Sequence, residues 1–299
     1  MHKWIVCVVT ALGIFFISNC RASENRDANY GIICVSVANL RETPSHKAQL
    51  VDQEIMGYTI KLLKKQDNWC EVQTEYGYTG WMTDSSFCAM DEAKLKQWKE
   101  SKKVRIVKVF ATVYSNADVL STPVTCIMMN VLLNKVETVI GGWIKVGTPD
   151  GRVGYLKTED CVDAGKIDLQ KEQLSKSIIN TAKLMMGVPY LWGGKSSTAN
   201  DCSGFTSTVF RANGINIGRD SRKQAVEGKK VDFKKDFSNV LPGDLLFFGT
   251  DRISHVAISL GGKEYIHQSG GVHINSFDPN LANYNKANHK KLKIVRRFF

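Results

Sequence analysis

Cys202 stands behind Asn200-Asp201 and opens Cys202-Ser203-Gly204-Phe205, after which Phe205, Val209 and Ala212 recur at helical spacing until Gly214 stops the run. A cysteine in the first turn of a helix faces unpaired backbone N–H groups and the positive end of the helix dipole. Both favour the thiolate, the nucleophilic form of sulfur. Cys202 is therefore a candidate nucleophile, set against the bland reading of a small buried hydrophobe. Downstream, Arg252-Ile253-Ser254-His255-Val256-Ala257-Ile258-Ser259-Leu260 and Lys263-Glu264-Tyr265-Ile266-His267-Gln268 alternate like two strands joined at Gly261-Gly262. A two-residue turn there pairs Val256 with His267 and leaves His255 on the opposite face. A three-residue loop, Gly261 to Lys263, sets His267 opposite Ala257, with both histidines on one face and within contact. In that register a cysteine nucleophile, a histidine base and a group orienting the base make the triad for acyl transfer through a thioester.

These residues sit among other motifs: Pro189-Tyr190-Leu191-Trp192-Gly193-Gly194, the Asp201-Cys202-Ser203-Gly204 elbow, Arg219-Asp220-Ser221, and Pro242-Gly243-Asp244-Leu245-Leu246-Phe247-Phe248. Together and in this order they resemble the NlpC-type family of papain-like cell-wall cysteine peptidases, over residues 168–299. The resemblance implies an α+β papain-like catalytic domain with Cys202 as nucleophile, His255 as general base and His267 as the residue that orients it. It also implies that Trp192, Asp201, Ser203 and Ser221 line the pocket for the acyl side of the scissile amide. Taken alone, Trp192 and Tyr190 read as core packing, and Asp201 and Ser203 as helix caps.

The elements ahead of this region are of another kind. Residues 68–82 align without a gap on 142–156, each copy reading as strand, tight turn at Gly77 or Gly151, and strand. Alternating segments, Ile33-Cys34-Val35-Ser36-Val37 and Val104-Arg105-Ile106-Val107-Lys108-Val109, precede the copies. Two small all-β barrels are expected, over 30–90 and 103–163, and they resemble bacterial SH3 domains, the first also carrying Asn39-Leu40-Arg41. Residues 91–103 are charged and helix-compatible, with Leu95 and Trp98 three apart, and read as a linker that docks on a neighbour. Leu174, Ile178, Ala182 and Met185 mark an amphipathic helix ended by Gly187 and Pro189. Strands are expected over 240–248, 253–260, 265–268 and 292–297, an α+β order.

At 299 residues, 43% hydrophobic and 23% charged, the chain is globular and long enough for several domains. His2 and Lys3 precede an apolar run from Trp4 to Ile17, then Cys20-Arg21-Ala22, which reads as a secretory signal over 1–22. Acylation at Cys20 is the alternative, disfavoured by Asn19 before it. No later segment is apolar enough to span a bilayer. The net charge of +11 suits an enzyme working near anionic envelope polymer. The cations are scattered and carry no nucleic-acid motif, so no nucleic-acid partner is expected. The cysteines outside the signal and Cys202 are odd in number and lack the close paired spacing of a zinc site, so no metal and no cofactor are expected, and the disulfide connectivity stays open.

A non-catalytic envelope-binding protein is the competing class, and the complete Cys, His, His set argues for the enzyme. With two SH3-like domains ahead of the catalytic one, the chain resembles γ-D-glutamyl-L-diamino acid endopeptidases. That implies cleavage between γ-D-Glu and a diamino acid in peptidoglycan-derived peptides with a free N-terminal L-Ala; a monomer is expected. Tyr78 would then wall off the amine end; its counterpart in the second copy is Arg152. The family's usual glutamate for the amine falls at Gln49, with Glu42, Asp52 and Glu54 as nearby carboxylates. A hydrolase of the stem peptide in intact peptidoglycan is the runner-up.

Overall fold

The computed structural model describes residues 28–299 apart from 140, 166 and 168 and the side chains of 138 and 139. The expected signal segment and Cys20 lie outside the described residues. Seven strands come first: β1 (Tyr30–Ile33), β2 (Val37–Arg41), β3 (Leu50–Ile55), β4 (Thr59–Gln66), β5 (Trp69–Thr74), β6 (Thr79–Thr83) and β7 (Phe87–Met90). They form one sheet in the order β3-β2-β6-β5-β4-β1-β7. Helix α1 (Glu92–Glu100) follows. Seven more strands repeat the pattern: β8 (Lys103–Ile106), β9 (Phe110–Tyr114), β10 (Pro123–Met128), β11 (Leu132–Val139), β12 (Trp143–Gly147), β13 (Val153–Lys157) and β14 (Cys161–Asp163). Their order, β10-β9-β13-β12-β11-β8-β14, is the first order carried over strand for strand. The repeat read from residues 68–82 is therefore the visible part of a duplication of the whole sheet.

Alternation builds both sheets. In β12 and β13, Ile144, Val146 and Leu156 turn inward onto Val104, Ile106, Val113 and Leu133, while the residues between them stay partly exposed. The charged linker is α1. Asp91 caps it by accepting from the Lys94 N–H at 2.8 Å, and its apolar stripe, Leu95 and Trp98, packs on Ile32 and Met90. Each such burial stabilises by roughly 1.5–3 kcal/mol, and the Trp98 indole N–H donates to the Gly57 carbonyl at 3.0 Å.

The last third carries α2 (Lys171–Leu184), α3 (Cys202–Ala212), α4 (Ser221–Gln224), then β15 (Lys229–Val231), β16 (Leu245–Gly249), β17 (Ile253–Gly261), β18 (Glu264–Ser269), β19 (Gly271–Ser276), α5 (Lys286–Lys291) and β20 (Leu292–Arg297). The sheet runs β15-β20-β16-β17-β18-β19. The expected strand over 240–248 begins only at Leu245, because Pro242-Gly243-Asp244 makes a turn whose Gly243 has φ 92°. Helix α3 lies against the sheet: Phe205, Val209 and Phe210 join Leu245, Phe247, Val256, Ile258 and Ile266 in one core. Every residue from Cys202 to Phe210 is buried, so this is a central helix rather than a surface one.

Candidate active site

Two close approaches set the head of α3. A Cβ on Gly204 would lie 2.0 Å from the Gly194 carbonyl, and one on Gly193 would lie 2.3 Å from the Leu50 carbonyl of the first sheet. Gly193 also has φ 75°, a conformation side chains rarely adopt. These glycines let the 190–194 loop seat both against the helix and against the SH3-like sheet. Asp201 is the cap. Its Oδ1 accepts from the Gly204 N–H at 2.7 Å and the Ser203 hydroxyl at 3.1 Å, its Oδ2 from the Gly193 N–H at 3.0 Å, and Arg219 reaches both oxygens, at 3.0 and 2.7 Å.

The histidine register is the one a three-residue loop requires: Ala257 pairs with His267, so His255 and His267 share a face. The odd residue is absorbed by a bulge between Ser259 and Gly261 rather than by the turn itself. His255 Nε2 lies 2.8 Å from His267 Nδ1, and His267 Nε2 lies 2.9 Å from Asn275 Oδ1 on β19. The Cys202 sulfur is reached by the backbone N–H of Val256, the residue next to His255. Among the described residues, no hydrogen bond joins the Cys202 sulfur to the His255 imidazole.

Burial pushes the Cys202 thiol up to about 12, with the Asp201 carboxylate adding to it, and the N–H groups of Val256 and Ser203 and the Arg219 cation do not overcome this. Burial likewise brings His255 down to about 3, helped by His267 and His273, and His267 down to about 4. Burial thus favours the neutral forms of both thiol and imidazole. It outweighs the helix end, whose N–H groups still lower the cost of a thiolate at Cys202.

The same shifts set a pH dependence of stability. Both folded values lie below the ordinary histidine value of 6.5, so between 6.5 and about 3 the unfolded chain binds more protons. This contribution is complete above pH 6.5 and is lost as pH falls toward 3 to 4. Urea midpoints measured at pH 7 and pH 4.5 should fall with acid, and the double variant His255→Gln, His267→Gln should flatten that fall; an unchanged slope would contradict the assignment.

A cavity of about 310 Å³ opens in front of the sulfur. Cys202, Trp192, Asp201, Ser203 and Ser221 line it from the catalytic domain, and Tyr78, Gln49 and Val51 line it from the first SH3-like sheet. The binding residues anticipated from sequence therefore line one cavity from both domains, whereas His255 and His267 are not among the lining side chains. Trp192 is 63% exposed, so it is no core residue. Asp201 and Ser203 reach the cavity with their oxygens already engaged by the cap and by Arg219. Tyr190, read from sequence as packing, also lines the cavity, and burial with the nearby Cys202 raises its hydroxyl to about 12. Asn275 was not anticipated, although Val272-His273-Ile274-Asn275 alternates like a strand.

Two of the carboxylates considered for amine binding are committed elsewhere. Asp52 and Glu54, both essentially without exposure, meet three catalytic-domain cations: Arg219 Nε donates to Asp52 at 2.6 Å, Arg211 to Glu54 at 2.8 Å, and Lys195 to Glu54 at 3.3 Å. Tyr76 donates to Asp52, and the Lys195 ammonium donates to the Tyr76 hydroxyl. Burial would raise Glu54, but Arg211 and Lys195 overcome it and hold the carboxyl at about 2. Together with Asp201, three anions and three cations close on one another across the domain boundary. Glu42 is exposed and outside the cavity lining, whereas Asp220 lines it beside Tyr78 and, among the described residues, makes no side-chain hydrogen bond or ion pair. Cys34, Cys70, Cys126, Cys161 and Cys202 are free thiols.

A cysteine heading a buried helix, a histidine pair on the adjoining antiparallel sheet and a polar cleft before them define a papain-like cysteine peptidase. Residues 187–291 match the NlpC/P60 family, and residues 36–87 match the bacterial SH3 domain. The chain is 30% identical to dipeptidyl-peptidase 6 of Lysinibacillus sphaericus over 83% of its own length and 91% of that protein. It is also 30% identical to the gamma-D-glutamyl-L-lysine dipeptidyl-peptidase of Bacillus subtilis strain 168, over 72% of this chain and 71% of that one. A crystal structure of an NlpC/P60 family protein from Bacillus cereus ATCC 10987 superposes with a TM-score of 0.76 at 24% identity, over 90% of this chain and 99% of that one, which establishes the shared fold. The chain belongs to the NlpC/P60 family of cysteine peptidases.

Proposed function

We propose that the protein hydrolyses the amide between γ-D-Glu and a diamino acid in peptidoglycan-derived peptides whose N-terminal L-Ala is free. The observation that carries this is the cavity's mixed wall: Tyr78, Gln49 and Val51 close from the SH3-like side the space in front of Cys202. A cleft closed at that end admits a short peptide terminus more readily than a peptide still attached to glycan. An ammonium leaving water needs a carboxylate and acceptor oxygens. With Asp52 and Glu54 committed to cations and an amide at position 49, Asp220 beside Tyr78 is the carboxylate this chain offers. Arg222 and Arg252, on the same wall, suit the substrate's own carboxylates. The names of the relatives, dipeptidyl-peptidases, support release of an N-terminal dipeptide.

Envelope localisation belongs to the same reading, through the signal-like segment at 1–22 or, alternatively, acylation at Cys20. Among the described residues no helix is long and apolar enough to cross a membrane. The test is cleavage of L-Ala-γ-D-Glu-diaminopimelate and its N-acetylated form, followed by mass spectrometry. The free peptide should be cut and the acetylated one rejected, and Tyr78→Ala should raise KM for the free peptide by roughly 10-fold, the worth of one hydrogen bond to a charge, while narrowing the gap between the two. Equal cleavage of both by the wild type, or release of peptides from intact murein sacculi, would favour the stem-peptide hydrolase instead.

A further inference from the structure

The chain of hydrogen bonds behind the base does not end at His267, and its direction can be read from its far end. Asn285 caps α5: its Oδ1 accepts from the Asn288 N–H at 2.9 Å, which leaves its Nδ2 to donate to Asn275 Oδ1 at 3.0 Å. The Asn275 amide is fixed from its other side as well, since its Nδ2 donates to the carbonyls of Ile274 and Asn283, each at 3.2 Å. An amide held at both ends cannot reverse without setting donor against donor and acceptor against acceptor. Asn275 Oδ1 is therefore an acceptor, and His267 Nε2, 2.9 Å away, must carry a proton. A neutral His267 then has a bare Nδ1, which accepts from His255 Nε2 at 2.8 Å. His255, with its proton on Nε2, is left with Nδ1 as its basic nitrogen.

We propose that Asn275, oriented by the Asn285 cap of α5, is a positioning residue that fixes the tautomers of both active-site histidines and so determines which nitrogen of His255 accepts the proton from Cys202. Two asparagines turn the position of a short helix into a choice of imidazole tautomer. Because the acceptor is an amide and not a carboxylate, the relay orients the base without adding charge to it. The inference rests on the peptidase reading and on the pairing of His255 with His267. The titratable groups facing His267 are His255 on β17, His273 on β19, with ring centroids 4.4 Å apart, and Tyr265 on β18, at 5.2 Å.

The experiment has two arms. In wild-type protein labelled with ¹⁵N-histidine, long-range ¹H–¹⁵N spectra at pH 7 should show His255 and His267 both protonated at Nε2 and bare at Nδ1. In Asn275→Leu the two forms should mix, and kcat should fall by about 10- to 100-fold with KM little changed, within the roughly 10²–10⁴-fold that base catalysis supplies. Asn275→Asp keeps the acceptor, so kcat at neutral pH should recover; its charge favours the protonated histidine pair, so the acid limb of kcat/KM should move to higher pH. A merely structural asparagine would move neither the tautomer nor the acid limb. Protonation of wild-type His267 at Nδ1, or a leucine variant with unaltered kcat and spectra, would overturn the proposal. The spectroscopic arm needs no substrate, so it stands apart from the substrate assignment.

Discussion

Replacing Cys202 by alanine should reduce turnover by at least about 10⁴-fold, in line with the loss of a nucleophile from a cooperating triad, and should leave the fold unchanged. The sulfur is the only atom removed, it sits at the end of α3, and the cap that sets the helix belongs to Asp201. His255→Ala should cost less, about 10²–10⁴-fold, because water remains as a poorer base. Single-turnover assays with mass-spectrometric detection, alongside circular dichroism and thermal melting, would test both. A Cys202→Ala enzyme that turns over at even a hundredth of the wild-type rate would exclude the covalent route.

The largest effect on stability is expected at Arg219. Its guanidinium is 1% exposed and divides itself between Asp52 of the first sheet and Asp201 at the head of the catalytic helix. Arg219→Leu keeps most of the volume but leaves buried Asp201 without its cation and Asp52 with only the Lys195 ammonium, 3.7 Å away. Removing one partner from such a pair costs about 3–5 kcal/mol. Guanidinium unfolding should show that loss, and Arg219→Lys should recover only part of it, because an ammonium cannot reach both carboxylates with a planar fork. A loss below about 1 kcal/mol would mean that water replaces the guanidinium, and the domain boundary would be softer than its geometry implies.

The parts of the site legible in the sequence were those set by local rules. Helical spacing after Cys202 gave α3, and strand parity gave two possible registers, of which the observed one puts His255 and His267 together. A constant alignment between two stretches gave the duplicated sheets, and Leu95 with Trp98 gave the docking face of α1. The ion network was not legible. Asp52 and Arg219 are far apart in sequence, and each read singly is an ordinary surface charge; only the fold makes them neighbours. This is why Asp52 and Glu54 looked available for substrate when they are committed to Arg219, Arg211 and Lys195. Asn275 escaped for a different reason. Its strand alternates clearly enough, but an asparagine between Ile274 and Ser276 carries no mark of the histidine it will meet across the ladder.

The duplicated hairpin tips have parted company. In the first sheet the tip presents Tyr78 to the cleft. In the second the matching residue, Arg152, is tied to Asp150 at 2.8 Å and donates to the carbonyls of Val124 at 3.1 Å and Cys34 at 3.4 Å, the last directly after β1 of the first unit. One tip faces the cavity and the other is mortar. The second SH3-like unit turns toward its sibling the loop that matches the cavity-facing one, and so buttresses the module that carries Tyr78. Two copies of one hairpin thus face different surroundings: the first the cavity before Cys202, the second its own twin.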